Sequence, residues 1–260
     1  MREVAPYSVL AVGYDVVMQH VDYDFWAAYI LERIHRYHPA PRTVLELGCG
    51  TGSFALAFVE RSACQYLGTD GVAAMVHVAR AKADLANAPV QFEVADFTDF
   101  RLDGAVDVVL LLYDGLNYLL DQEAVQALFR CAYAALAPGG LFIFDQSTPV
   151  NSINNEAAFE DDGEVDLFSY RRSSRYDRSS RLHTTTFDLV IEGEAFQEQH
   201  VQRAYAAVEI EARIRETAFE TLAAYDGFSE DPANEASERI HWVLRRPTLS
   251  IPVKPDHTVD

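Results

Sequence analysis

Between residues 43 and 146 the chain repeats one pattern: a short run of β-branched and apolar residues, then a stretch with helical spacing, then another such run. Strands are read at 43–48 (TVLELG), 65–70 (QYLGTD), 90–96 (VQFEVAD), 106–114 (VDVVLLLYD) and 141–146 (LFIFDQ). Helices are read between them at 53–63, 72–86 and 122–136, the last stopped by Pro138-Gly139-Gly140. The strands are apolar almost throughout instead of alternating, which requires burial on both faces and therefore a parallel sheet covered by helices on each side. Right-handed crossovers make such a sheet doubly wound.

The flanks extend this frame. Residues 7–38 read as helical, with Phe25, Ala28, Tyr29, Leu31 and Ile34 near a 3.6-residue period and Pro39 and Pro41 as the stop. After Asp145 the rhythm breaks. Residues 147–164 are rich in Asn, Asp, Glu and Ser and read as a loop; 165–173, 181–191 and 196–203 read as short strands, with Glu192-Gly193-Glu194 as a tight connection. A helix at 206–218 and strands at 219–228 and 238–246 then resume the main pattern and complete a mostly parallel seven-stranded sheet. The expected organisation is a core of residues 1–146 and 204–246, an inserted small antiparallel β subdomain at 147–203, and a loose tail at 247–260.

Chemistry concentrates in VLELGCGTG. Glu46 stands near the end of the first strand, Gly48, Gly50 and Gly52 follow at two-residue spacing, and a helix begins at Ser53. Glycine lets the backbone turn sharply and approach a ligand with no Cβ in the way. The place is the carboxyl end of the central strand, where open α/β sheets bind ligands. A dinucleotide loop is the competitor, but its third glycine stands three residues after the second, whereas here the gap is two. Asp70 ends the second strand, twenty residues past Gly50, where a carboxylate can accept from both hydroxyls of a ribose. Asp96-Phe97 ends the third, where an acid can accept from an adenine amino group and the Phe97 N–H can donate to the ring.

With ELGCGTG at 46–52, Asp70, Asp96-Phe97 and APGG at 137–140, the chain resembles the Rossmann-like S-adenosylmethionine-dependent methyltransferases over residues 10–146 and, more weakly, 200–246. The resemblance implies S-adenosyl-L-methionine as cofactor, with Glu46 bracing the glycine loop, Gly48, Cys49 and Gly50 along the methionine portion, Asp70 at the ribose, Met75, Asp96 and Phe97 around the adenine, and Gly71 and Leu112 as further cofactor contacts. AVGYDVVMQHVDY (11–23), LLYDGLNYL (111–119) and HVQRAY (200–205) further resemble a small-molecule branch with an inserted antiparallel sheet, similar to sugar-amine N-methyltransferases. In that branch the tyrosine matching Tyr14 closes over the cofactor and the segment matching Tyr113 to Tyr118 lines the acceptor pocket. Relatives often carry Ser or Pro two residues after the second-strand acid; here the run is Asp70-Gly71-Val72.

Methyl transfer needs alignment and exclusion of water more than a protein nucleophile, although an acceptor that loses a proton is helped by a base. The candidate bases are His200, Tyr113 and Asp114. Tyr113, Asn117, Tyr118 and Arg203 are the candidate contacts to a small-molecule acceptor, with Arg203 and Tyr205 also readable as junction residues and His200 as a structural hydrogen-bonder. The basic run YRRSSRYDRSSR (170–181) reads either as a site for an anionic acceptor or as a solvated strand pair balancing Glu160, Asp161, Asp162, Glu164 and Asp166. Other readings of the whole chain are a methyltransferase acting on RNA or protein, a non-catalytic cofactor-binding protein, and a nicotinamide dehydrogenase. The glycine spacing and Asp96 speak against the last.

Composition narrows partners and compartment. A net charge of -19 repels polyanions, so a nucleic-acid partner is not expected. No apolar run approaches a bilayer span and no basic segment leads into one near the start, so neither a membrane partner nor a signal peptide is expected. Three cysteines, Cys49, Cys64 and Cys131, lack metal-type spacing and fit a reducing cytoplasm without a metal site. A monomer or homodimer is expected. Lys82 and Lys254 are the only lysines, and the acid excess fits either a high-salt cytoplasm or an ordinary acidic enzyme. The high-salt reading predicts a melting temperature that climbs with potassium chloride as screening relieves self-repulsion; a flat profile removes it.

Overall fold

The computed structural model describes residues 1–155 and 160–248, so most of the tail read at 247–260 and part of the loop read at 147–164 lie outside the described residues. The larger sheet consists of β2 (Thr43–Leu47), β3 (Gln65–Asp70), β4 (Val90–Val94), β5 (Val106–Leu111), β6 (Leu136–Ser147), β11 (Glu220–Asp226) and β12 (Arg239–Arg245). Its seven strands run in the order β11-β12-β6-β5-β2-β3-β4. β2 pairs in parallel with both β3 and β5, so the chain order reverses beside it. β12 is antiparallel to β6 and to β11. The expected doubly wound, mostly parallel sheet is the fold.

Helices α3 (Ser53–Val59), α4 (Ala73–Ala86), α5 (Gln122–Ala135) and α7 (Ala207–Arg215), with α2 (Tyr23–Tyr37), cover the sheet. Two apolar cores result, one built on Ile30, Phe58, Val108 and Ile143, the other on Leu45, Val109, Phe129, Phe142 and Trp242. Successive strand residues such as Val108, Val109, Leu110 and Leu111 are all 0% exposed, which is the physical reason these strands show no alternation. Removing a large buried side chain from either core costs about 2–5 kcal/mol, so both faces specify the register.

The N-terminal stretch departs from the continuous helix read at 7–38. A 3-10 turn at Leu10–Gly13 leads into α1 (Tyr14–Val17), and α2 starts afresh at Tyr23. The break has a local cause: the Asp22 carboxylate accepts from the Phe25 N–H at 2.9 Å and caps α2. The first segment then packs on the second sheet through Leu10, Val17 and Met18 against Phe168, Tyr170 and Leu189.

That second sheet has the order β1-β10-β9-β8-β7. Its strands β8 (Phe168–Asp177), β9 (Leu182–Ile191) and β10 (Glu194–Arg203) are each 10 residues long, the first and last longer than the sequence pattern indicates. Two members were not expected: β1 (Arg2–Val4), which pairs in parallel with β10, and β7 (Asp161–Val165), which pairs with β8 inside the segment read as loop. The residues DDGEV carry no strand pattern because they form an outer strand in which all five residues are exposed or half-buried; backbone pairing alone makes them a strand. Helix α6 (Pro149–Asn154), capped by Thr148, also occupies that segment. No helix among the described residues is long and apolar enough to cross a membrane.

Candidate active site

The β2–α3 loop is built from three glycines in left-handed conformations, Gly48 at φ 65°, Gly50 at φ 54° and Gly52 at φ 77°. A Cβ on Gly52 would stand 2.7 Å from the Phe92 ring, so this loop can lie against β4 only with glycine there. Asp70, at the end of β3, holds the loop from the side: one carboxylate oxygen accepts from the Gly50 N–H at 3.0 Å and the other from the Val72 N–H at 2.8 Å. Burial raises its carboxyl above the ordinary value, with those two N–H groups pulling the other way. Each oxygen keeps a lone pair for a further donor.

Above the loop lies a cavity of about 270 Å³, lined by Gly48, Gly50, Asp70, Gly71, Met75, Phe97 and Leu112 together with Tyr7, Tyr14, Tyr113 and Tyr118. Asp96 is not among these walls. It is exposed beside Phe97, and one of its oxygens accepts from the Thr98 N–H and hydroxyl, so it stands at the rim. Beneath the loop a smaller pocket of about 50 Å³ is lined by Glu46, Gly48, Cys49, Gly50 and Leu112 with Tyr14 and Tyr113. Glu46 is 3% exposed and its Oε2 accepts from the Tyr66 hydroxyl at 3.0 Å. Burial pushes its carboxyl up to about 8, against the pull of that hydrogen bond, and among the described residues no cation beside it offsets the desolvation.

A third, larger cleft of about 760 Å³ opens between the two sheets. It shares Tyr7, Tyr14, Tyr113 and Tyr118 with the 270 Å³ cavity, so the four rings form the boundary between them. Tyr113 and Asp114 follow β5 in left-handed conformations, φ 62° and 64°. The strain is held from below: Asp145 on β6, 0% exposed, accepts from the Tyr113 N–H at 2.6 Å and the Asp114 N–H at 3.3 Å. Arg239 on β12 joins Asp145 and takes Asp114 through both of its terminal nitrogens, Nη1 at 2.6 Å and Nη2 at 3.1 Å.

These contacts correct several expectations. Asp114 lines the cleft but is committed to Arg239, so it is not a free base. The Tyr113 phenol, pushed up to about 12 by burial, stays neutral and is a donor. Asn117 does not face the cleft. It is 2% exposed, its Nδ2 donates to the carbonyls of Ser147 at 2.9 Å and Arg203 at 2.7 Å, and its Oδ1 accepts from the Ser147 N–H. Its amide is spent tying the segment after β5 to the ends of β6 and β10. Arg203 also lies away from the cleft, over the Tyr205 ring at 5.2 Å and toward Glu209. In the basic run, strand alternation exposes Arg171 and Arg175 and turns Arg172 inward, where its Nε donates to Asp161 at 2.6 Å. His200 does line the cleft, 2% exposed, between Tyr118 and Glu198. Tyr7, Glu198 and Arg239 escaped the sequence reading because nothing in their local pattern marks them; each reaches the site from a distant element.

Comparison with known proteins bears on the family. Residues 44–140, which contain the glycine loop, Asp70, Asp96 and Gly139-Gly140, match the methyltransferase domain family. The chain carries a methyltransferase domain on the fold of the S-adenosylmethionine-dependent methyltransferases. Its relatives include the Bacillus subtilis (strain 168) protein YqeM, whose name assigns it to the methyltransferases with no substrate, at 28% identity over 92% of this chain and 97% of that protein. Among solved structures, an S-adenosylmethionine-dependent methyltransferase from Clostridium acetobutylicum ATCC 824 has a TM-score of 0.77 at 22% identity, covering 93% of this chain and 99% of its own. CalS10, an amino pentose methyltransferase from Micromonospora echinaspora, has a TM-score of 0.69 at 22% identity over 90% of this chain and 96% of its own.

The methyltransferase's strained turn makes a sharp test of this geometry. Arg239→Met leaves Asp114 and the fully buried Asp145 without their cation, and urea unfolding should show a loss of about 3–5 kcal/mol. A loss under about 1 kcal/mol would mean that the ion pair does not hold the turn.

Proposed function

We propose that this methyltransferase moves the methyl group of S-adenosylmethionine onto a small-molecule acceptor, an amine or a hydroxyl compound, seated in the cleft between the two sheets. The observation that carries this reading is the shared wall: Tyr7, Tyr14, Tyr113 and Tyr118 line both the 270 Å³ cavity above the glycine loop and the 760 Å³ cleft. A methyl presented from the first cavity would face the second across those rings, screened from bulk water.

The residues present fit the cofactor. Asp70 has both oxygens aimed by backbone N–H groups and would take the two ribose hydroxyls. Phe97 and Met75 would bracket the adenine, with Asp96 at its edge and Gly71 and Leu112 completing the walls. Glu46 has no cation beside it among the described residues, and the small pocket it lines with Cys49 would take the methionine ammonium. Tyr14 stands in the walls of all three cavities and would close over the join. The bound cofactor supplies an electrophilic methyl on a sulfonium. The protein's own part is to align the acceptor, exclude water and receive a proton, with His200, buried in the cleft wall, as the base we assign.

Among the described residues Asp162 and Glu238 stand in the cleft with no arginine partner, whereas Asp161 and Asp114 are paired with Arg172 and Arg239. This anionic lining and the -19 net charge favour a cationic or neutral acceptor over RNA. The fold likeness to CalS10, and to the sugar N-methyltransferase KedS8 from Streptoalloteichus sp ATCC 53650 with a TM-score of 0.68, supports an amino sugar as the first acceptor to try. We read the protein as a cytoplasmic monomer or homodimer in which residues 147–203 form an acceptor-binding insertion on a cofactor-binding core.

Two measurements test this reading. Calorimetry should show S-adenosylmethionine and S-adenosylhomocysteine binding and no binding of NAD, with Asp70→Ala weakening the cofactor about 100-fold, the loss of two hydrogen bonds to a charged acceptor. Binding unaffected by Asp70→Ala would remove the ribose assignment.

Glu46 gives the second. Its carboxyl rises from an ordinary value of 4.5 to about 8 in the fold, so the neutral acid is present at pH 7. The sign follows: the neutral form favours folding below 4.5, and that contribution is lost as pH rises through about 8. Arrival of an ammonium would draw the proton off. Cofactor binding at pH 7 should release protons, seen as a dependence of the binding heat on the buffer's ionisation enthalpy, and affinity should rise between pH 6 and 8. Glu46→Gln should abolish the proton release.

A further inference from the structure

Four side chains connect the point of methyl transfer with the interior of the second sheet, and what they imply rests on the functional reading above. Tyr7 and Tyr118 line both the cofactor cavity and the cleft, and their hydroxyls are hydrogen-bonded to each other. The Tyr118 hydroxyl lies 3.2 Å from His200 Nδ1, and His200 Nε2 lies 3.1 Å from Glu198 Oε2. Glu198 and His200 are two apart on β10, so they share one face of the strand. Both are buried, at 0% and 2% exposure, and Phe187 packs on the imidazole at 5.1 Å.

The direction of this chain is set at its inner end. Glu198 also accepts from three backbone N–H groups, those of Tyr7 at 2.6 Å, Val9 at 2.8 Å and Leu10 at 2.9 Å. Burial alone would raise its carboxyl, but His200 and these N–H groups outweigh it and hold Glu198 below the ordinary range, as a carboxylate. A carboxylate only accepts. His200 Nε2 must therefore carry a hydrogen; with the ring in its neutral form, Nδ1 is an acceptor for the Tyr118 O–H and the Tyr118 oxygen an acceptor for the Tyr7 O–H. The outermost oxygen, that of Tyr7, faces the cleft ready to accept a proton.

We propose that Tyr7, Tyr118 and His200 form a proton relay ending on His200 Nδ1, that Glu198 is the positioning residue fixing the His200 tautomer, and that the acceptor is one that sheds a proton on methylation. In the step, the lone pair of the acceptor nitrogen or oxygen forms the bond to the methyl carbon. The carbon–sulfur bond breaks with its electrons staying on sulfur. The acceptor's proton passes to Tyr7 as the Tyr7 proton moves to Tyr118 and the Tyr118 proton to His200 Nδ1. The imidazolium so formed sits against the Glu198 carboxylate, and its proton returns to water through the cleft after release. Primary and secondary amines and hydroxyl compounds satisfy this chemistry; tertiary amines and thioethers have no proton to give. The same carboxylate holds Tyr7 in its left-handed backbone conformation, φ 62°, so the relay is complete only while the N-terminal segment is docked.

The test uses the full chain, labelled with ¹⁵N-histidine and saturated with S-adenosylhomocysteine. Long-range proton–nitrogen correlation should find His200 as the Nε2–H tautomer, with the Nδ1 resonance moving in Tyr118→Phe as its donor is lost. An Nδ1–H tautomer, or an Nδ1 resonance indifferent to Tyr118→Phe, overturns the relay. These spectra need no acceptor, so they stand apart from the functional reading, which fails if the cofactor does not bind. Turnover gives the second arm, with labelled S-adenosylmethionine and the probes glucosamine, its N-methyl and N,N-dimethyl derivatives, and a thioether analogue. Glucosamine or its N-methyl derivative should be methylated, and Glu198→Gln should lower kcat by about 10-fold or more with the cofactor Kd held within about 2-fold. Methylation of the N,N-dimethyl or thioether probe at a comparable rate, or an unchanged kcat in Glu198→Gln, overturns the proposal.

Discussion

Asp145 is a carboxylate at 0% exposure near the end of β6, and the active site is arranged around the need to satisfy it. An unpaired charge in that position would cost several kcal/mol. Three donors meet it: the backbone N–H groups of Tyr113 and Asp114 and the guanidinium of Arg239. Because two of the donors are consecutive backbone groups, the chain leaving β5 is bent into left-handed conformations that neither residue prefers. That bend puts Tyr113 into the walls of all three cavities, where the two substrates of a methyl transfer would meet. Arg239 lies within 5.5 Å of the centres of the Trp26 and Tyr113 rings, so the same ion pair fixes the aromatic wall above it.

The cofactor side and the acceptor side are made by different physical means. On the cofactor side the glycine loop and Asp70 use main-chain geometry, which a parallel strand end provides and which the side chains only complete. On the acceptor side almost every wall is a side chain from a separate element: Tyr7 before the first helix turn, Tyr118 after β5, His200 from β10, Arg172 from β8 and Arg239 from β12. This division suits a family that keeps one cofactor and varies its acceptors, since the acceptor walls can change without disturbing the loop. Glu198 is the point where the two sides touch, because one buried carboxylate holds both His200 and the backbone of Tyr7.

Legibility in the sequence followed the range of the interaction. Glu46, Gly48, Gly50 and Asp70 could be grouped from the sequence because strand, turn and next strand put them together within 25 consecutive residues. Asn117 and Arg203 were misplaced for the opposite reason. Both lie in segments that border the cleft between the sheets, yet which way each side chain turns is decided by Ser147, Glu209 and Tyr205, residues the local pattern cannot supply. The strand at 161–165 was invisible because its residues have no strand preference and depend on β8 for their partners.

The sequence by itself determined the parallel sheet, its helical cover and the loop that meets the cofactor, because apolar periodicity and glycine spacing act over a few residues and need no distant partner. Tertiary structure alone decided which groups face the cleft between the sheets and how their charges are paired. Tyr7 and Tyr118, separated by 111 positions, meet as a hydrogen-bonded pair, and Arg239 meets Asp114 across 125. Burial and pairing of charge depend on every element that closes around a group, and those elements come together only when the second sheet and the N-terminal segment fold onto the first.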